Sequence, residues 1–288
     1  IRAQRFTVAL DYCNGAAIAA GAQLTEALGC RVIPLNDEPS NEFAHPPAPT
    51  RTNMRQLAAL MRSVPTDLGA AVNVDGDLIG LVLPDGSPLS EEYVLPIAAR
   101  YALARRDGPV VTNLSTSRMV ERIAEQAHRP CIRTVVGEGY VMDRALTEGA
   151  AIAGEGNGGV AVQPHARTFD ALLTLGTILE IMAIEGRSFA DLCADLPALH
   201  MRKGELAVPP DQVYRVLDGF RERHSDAEAD LTDGVRFSWP DAWLHVRASN
   251  TEPLLRVIAE ADTADRADEL FDETIALARR AALVHGVR

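Results

Sequence analysis

Arg247-Ala-Ser-Asn-Thr-Glu-Pro253, followed closely by Arg256, gathers two guanidinium groups and three short polar side chains in one stretch. Guanidinium forks match phosphate oxygens two at a time. Ser249, Asn250 and Thr251 suit a turn whose backbone N–H groups converge on an anion. The flanking segments Trp243-Leu-His-Val246 and Leu255-Arg-Val-Ile258 read as strands. The same residues therefore also meet the requirements of an ordinary hairpin connection closed by a proline.

Three further loops carry chemistry-bearing residues. Val74-Asp-Gly-Asp-Leu-Ile-Gly80 sets Asp75 and Asp77 either side of a glycine. Two carboxylates brought together by a bend suit a hard cation such as Mg²⁺, while an Asp-Gly turn in a β-hairpin explains the same pattern. Gly154-Glu-Gly-Asn-Gly-Gly159 combines a pliant backbone with Glu155 and Asn157, an acceptor and a donor able to bridge vicinal hydroxyls. Its glycine spacing is not that of a dinucleotide fingerprint, and a flexible turn is the plain alternative. Arg133-Thr-Val-Val-Gly-Glu138 runs from a strand into a turn, and Asp11-Tyr-Cys-Asn-Gly-Ala16 reads as a strand-to-helix turn in which Asp11 is structural.

Composition limits the partners. The 288 residues carry 28 Lys plus Arg against 40 Asp plus Glu, a net charge of −12, which disfavours a broad nucleic-acid or anionic-membrane footprint. An anionic ligand must be gripped by a local cluster. Cys13, Cys30, Cys131 and Cys193 form no C-x-x-C pair, as expected for reduced thiols in a cytoplasmic protein. No apolar run reaches the roughly 18 residues of a membrane span. The sequence opens on Ile1 and a strand starts almost at once, so further chain is expected upstream.

Strands and helices alternate through the first two thirds of the chain. Strands are expected at Phe6–Leu10, Arg31–Pro34, Leu68–Val74, Leu78–Leu83, Pro109–Asn113, Cys131–Val135 and Ala150–Ala153. Helices are expected over 16–28, 53–63, 91–105, 117–128, 140–148 and 169–185, the second with Asn53 and Gln56 as a capping box. Residues 36–49, with Pro39, Pro46, Pro47 and Pro49, can only be loop. The helix over 169–185 is apolar nearly all round and belongs between layers. Residues 197–210 read as a linker. Beyond it come a helix, a meander of strands over 231–260 and a closing helix from Ala264 whose stripe includes Ala267, Leu270, Phe271, Ile275, Ala278 and Ala282. The expected fold class is α/β: two consecutive α/β/α mixed-sheet domains, residues 1–104 and 105–204, then a smaller α+β domain, 205–288.

Taken in order, D-x-x-N-G-A, D-G-D, G-E-x-N-G-G and R-x-S-N-T-E-P followed by R-V resemble the second, third and fourth domains of the phosphohexomutases, the phosphoglucomutase and phosphomannomutase family. The resemblance spans essentially the whole chain. It implies a hexose phosphate ligand, with Arg247, Ser249, Asn250, Thr251 and Arg256 on its phosphate and Glu155 and Asn157 on its sugar. It also implies Mg²⁺ on Asp75 and Asp77. Read against the family's D-G-D-x-D-R, the third aspartate falls at Ile79 and the arginine at Gly80, leaving that metal loop incomplete. Gly159 stands where some members carry a histidine, so no acid/base group is offered there. The family's first domain bears a phosphorylated serine in an S-H-N-P-like loop, and no such motif occurs here. Two functions follow as expectations. One is part of a hexose phosphate mutase whose nucleophile lies on a missing N-terminal domain. The other is a non-catalytic sugar-phosphate-binding or regulatory module joined to another enzyme, such as a sugar nucleotidyltransferase.

Overall fold

A computed structural model describes residues 1–208, 212–249 and 253–283. They fall into two compact units, Ile1–Pro197 and Ala198–Arg288.

The first unit repeats one pattern twice. Strands β1 (Thr7–Asp11), β2 (Arg31–Leu35), β3 (Leu68–Val72) and β4 (Ile79–Val82) form a sheet of order β2-β1-β3-β4. Strands β5 (Val110–Asn113), β6 (Cys131–Thr134), β7 (Ile152–Gly154) and β8 (Val160–Val162) form a second, of order β6-β5-β7-β8. In each, the first three strands in the chain are parallel and the fourth returns antiparallel through a tight turn. The parallel pairs need crossovers, supplied by α1 (Ile18–Ala27) and α2 (Arg55–Ser63) in the first sheet and by α4 (Met119–Gln126) and α5 (Glu138–Glu148) in the second. Helix α3 (Val94–Leu103), entered through a 3₁₀ turn at Glu91–Tyr93, links the two.

One hydrophobic core runs through both sheets, uniting Leu10, Val72, Ile79, Leu95, Val110, Ile152 and Leu175. Helix α6 (Ala171–Glu185) lies within it, with Leu175, Ile178 and Leu179 at 0 % exposure, as its all-round apolar sequence requires. The short helix α7 (Phe189–Ala194), not anticipated from sequence, adds Phe189 and Leu192 to the same core. The capping box expected at Asn53 and Gln56 is not formed. Helix α2 starts after Met54 without a side-chain cap. Asn53 Nδ2 donates instead to the Ala48 carbonyl at 2.8 Å, and Gln56 Oε1 accepts from Asn36 Nδ2 at 3.2 Å.

The second unit is a five-stranded antiparallel sheet, β10 (Glu228–Asp230), β11 (Val235–Ser238), β12 (Ala242–Ala248), β13 (Leu254–Ala261) and β9 (His200–Ala207), in that spatial order. Helices α8 (Val213–Arg223) and α9 (Ala264–Leu283) pair with each other, and the sheet's apolar face, with Phe237, Leu244, Val246 and Val257, shares a core with them. The expected linker is thus corrected in part: β9 is a full strand, paired with β13 from His200↔Ala261 to Ala207↔Leu254. Its sequence hides this because it is an edge strand carrying Arg202, Lys203 and Glu205, residues that guard an edge against further pairing but give no apolar alternation. No helix among the described residues is long and apolar enough to cross a membrane.

Candidate functional site

Four of the sequence motifs meet at the carboxyl ends of the parallel strands in the first unit, the position where open α/β sheets receive ligands. The turn 11–16 leaves β1 and docks on the β3–β4 turn through Ala16 N–H to Val74 O at 2.8 Å. That turn meets the 154–159 turn of the other sheet: Leu78 bridges Gly159, and Ile79 N–H reaches Gly158 O at 3.1 Å. Gly158 has φ +91°, and a Cβ there would lie 2.2 Å from the Ile79 carbonyl oxygen, so only glycine allows the approach. The 133–138 segment joins through Gly137 N–H, which donates to Glu155 Oε1 at 2.7 Å.

Asn73 organises the β3–β4 turn. Its Oδ1 accepts from the N–H groups of Gly76, Asp77 and Leu78, each at 3.0 Å, while its Nδ2 donates to Asp77 Oδ1. Gly76, at φ +78°, makes the bend. Ile79 lies on β4 at 0 % exposure inside the core, whereas the side chain meeting Asp77 is that of Asn73, two residues before Asp75. Asp75 is exposed. The loop therefore offers two carboxylates and a carboxamide whose oxygen is already committed to three backbone donors. Among the described residues no group of three His, Cys, Asp or Glu side chains could hold a metal ion. These residues do not fit a magnesium ion that needs several free oxygens in near-octahedral array.

In the 154–159 turn Glu155 is 5 % exposed. Besides Gly137 N–H it accepts from Asn157 Nδ2 at 3.1 Å, and Asn157 Oδ1 accepts from Gly159 N–H at 2.9 Å. Gly156 N–H donates to Thr116 Oγ1 at 3.0 Å, tying the turn to the loop after β5. Glu155 thus faces inward and fixes the loops, and Asn157 is the exposed member of the pair. Arg133 is 9 % exposed in its side chain and also turned inward, donating to Glu121 Oε1 at 2.6 Å and to the Thr116 carbonyl at 2.9 Å.

In the second unit Arg247 and Arg256 are register partners on β12 and β13 and so share the sheet face opposite the helices. Arg247 is 6 % exposed, its Nε 3.2 Å from Asp233 Oδ2. Arg256 is exposed, its Nε 3.5 Å from Glu205. Ser249 N–H closes on Leu254 O at 2.8 Å. Asn250 and Thr251 lie outside the described residues.

Sequence reasoning missed the company Arg247 keeps. His245, at 1 % exposure, stands within 2.6 Å of the Asp233 carbonyl through Nε2, and burial pushes its pKa down to about 4 despite that bond. Trp243 donates through Nε1 to Glu260 Oε1 at 2.7 Å, and Arg236 lies over its ring. The signal was available: every second residue of Trp243-Leu-His-Val-Arg247 falls on one strand face. On this face neutral His245 leaves Arg236 and Arg247 as cations, and Asp233 orients Arg247 from the side.

Models of three consecutive domains of one family match the chain. The phosphoglucomutase/phosphomannomutase α/β/α domain II matches residues 1–86, α/β/α domain III residues 90–200 and the C-terminal domain residues 207–277. Among similar proteins, a probable phosphoglucosamine mutase of Methanopyrus kandleri is 29 % identical over 279 residues, covering 95 % of this chain and 61 % of its own length. A phosphomannomutase/phosphoglucomutase of Pseudomonas putida is 30 % identical over 268 residues, 91 % of this chain and 58 % of its own. The chain thus spans about three fifths of the length of these relatives. A phosphoglucomutase/phosphomannomutase family protein from Burkholderia thailandensis superposes with TM-score 0.83 at 26 % identity, over 96 % of this chain and 61 % of that one. An N-acetylphosphoglucosamine mutase of Aspergillus fumigatus, solved with GlcNAc-6P and magnesium, shares the fold with TM-score 0.68 at 17 % identity, over 94 % of this chain and 65 % of that one.

Proposed function

Since the chain belongs to the phosphoglucomutase/phosphomannomutase family, we propose that it binds a hexose phosphate as part of a hexose phosphate mutase. The observation that carries this reading is the Arg247–Arg256 register pair beside the Ser249 turn, with Arg247 already oriented by Asp233. A cation held in place by a carboxylate loses little freedom when an ester phosphate arrives, which favours binding. Arg256 supplies a second cation on the same face, and Ser249, Asn250 and Thr251 supply short donors. Asn157 is the exposed carboxamide for sugar hydroxyls. Glu155 works from behind as a positioning residue, through Gly137 N–H and Asn157.

In this reading the phosphoryl group travels by way of a serine outside these 288 residues, and the arginines offset charge on the phosphate that does not react. No step is assigned to a metal on Asp75 and Asp77. That loop supports the second reading, a sugar-phosphate-binding module without turnover, because Asn73 has closed it with hydrogen bonds.

Calorimetry with glucose 1-phosphate, mannose 1-phosphate and glucosamine 1-phosphate tests the binding. Arg247→Ala should weaken it by roughly 1.5 to 3 kcal/mol, the range for a hydrogen bond to a charged group. Absence of binding by the wild-type chain to all three sugars, or an unchanged affinity in Arg247→Ala, would defeat the assignment. A coupled mutase assay on the protein with any further domains its gene encodes, given a hexose bisphosphate activator, separates the readings. Turnover selects the mutase, and binding without turnover selects the module.

A further inference from the structure

Between β2 and α2, residues 37–48 run over the surface, and each is exposed except His45. The His45 side chain, 11 % exposed, covers the end of β1, where Asp11 is fully buried. Its Nε2 lies 3.0 Å from Asp11 Oδ2 and its Nδ1 2.8 Å from the Pro46 carbonyl oxygen. Asp11 accepts on its other oxygen from Asn36 Nδ2 at 2.9 Å and from Cys13 N–H at 3.0 Å. Both ring nitrogens therefore face acceptors. A neutral imidazole has one N–H and one lone pair, so only the imidazolium satisfies both contacts.

We propose that His45 is a proton-operated latch: charged, it holds the 37–48 loop on the end of β1, and on losing its proton it releases that loop. The groups facing the ring are the Asp11 carboxylate, from β1, and the Cys13 thiol, from the following turn, with Sγ 3.9 Å from Nδ1. Burial, reinforced by Asp11, raises the Cys13 pKa, so the thiol stays neutral. The trio does not form a hydrolytic triad, because Cys13 is fully buried and both ring nitrogens are occupied.

The hydrogen bond to Asp11 lifts the His45 pKa above 6.5 against the opposing effect of burial. Burial alone would raise the Asp11 carboxyl, but the bonds from His45, Asn36 and Cys13 outweigh it and hold the group below its usual range. A raised histidine pKa stabilises fully below pH 6.5 and ceases to do so as pH climbs through the folded value. The acid limit is set by Asp11, below the ordinary carboxylate pKa. Asn14 also grips the loop, donating to Glu38 O at 2.8 Å and accepting from Ala44 N–H at 3.1 Å. That turn in turn docks on Val74, so the loop opens beside the β3–β4 turn.

The test is an NMR titration of the whole chain, with His45 assigned by its loss in His45→Gln. Both ring nitrogens should be protonated at pH 6.5. Exchange of the Ala44 amide, corrected for intrinsic base catalysis, should accelerate roughly tenfold or more as pH passes through the His45 pKa, as loss of a charged hydrogen bond implies. His45→Gln should exchange fast throughout, with no such step. A neutral ring at pH 6.5, corrected exchange independent of pH in the wild type, or an unaltered pH step in His45→Gln would each overturn the latch. None of these readouts depends on sugar-phosphate binding.

Discussion

Burial of His245 should make the second unit acid-labile. The ring is enclosed on β12 and its pKa falls from 6.5 to about 4, with burial as the leading cause. In the unfolded chain the same group titrates at its ordinary value. Above pH 6.5 neither state holds the proton and the contribution is flat. As pH falls below 6.5 the unfolded chain binds a proton that the folded unit refuses, so stability declines until about pH 4. At 1.36 kcal/mol per pH unit the whole effect is roughly 3 kcal/mol, and about 2 kcal/mol of it has gone by pH 5. Trp239 and Trp243, the two tryptophans of the protein, both lie in this unit, so their fluorescence follows its unfolding selectively. Urea melts at pH 7.5 and pH 5 should therefore show a loss in the wild type that is smaller by about 2 kcal/mol in His245→Gln, which cannot ionise. His224 is also depressed, by burial and then by Arg223, but remains in both proteins and cancels in the comparison. Equal losses in the two proteins would refute the reasoning.

Leu175→Ala, at a fully buried position of α6 shared by both sheets of the first unit, should cost about 2 to 5 kcal/mol, checked by chemical denaturation. Asn73→Asp should remove the donor to Asp77 and set two carboxylates against each other, destabilising by about 1 kcal/mol without divalent ions. Added Mg²⁺ should then raise the thermal midpoint of the variant while leaving the wild type unmoved.

The layers of the fold were legible because their signals are local. Short apolar strands alternating with helices gave the two parallel-sheet patterns. The all-round apolar sequence of α6 placed it between layers, and Asn14-Gly15 and Asp75-Gly76 marked turns. The failures came where local pattern is silent. Strand β9 is specified by its partner β13 and not by its own alternation, since Arg202, Lys203 and Glu205 suit an edge as well as a linker. The capping box failed because Asn53 and Gln56 found nearer partners in Ala48 and Asn36, contacts made by a long loop whose path sequence does not give.

The site divides along the same line. Read from sequence, the hydrogen-bond capacity of the candidate residues is available for a ligand, but in the first unit much of it serves the loops themselves. Glu155 ties two turns together, Asn157 closes its own turn, and Asp77 takes a hydrogen bond from Asn73. A loop that holds its shape through a carboxamide needs no cation to neutralise converging carboxylates, because an amide supplies both the donor for Asp77 and the acceptor for three backbone N–H groups. Asparagine at 73 thus accounts for the loop's geometry without a metal. Arg247 differs in kind. Its partner Asp233 is a carboxylate, so an arriving phosphate contends with it for a cation already in position, and Asp233→Asn, which keeps an acceptor for Arg247 Nε while removing the competing charge, should strengthen hexose phosphate binding in calorimetry; unchanged or weaker binding would refute the competition.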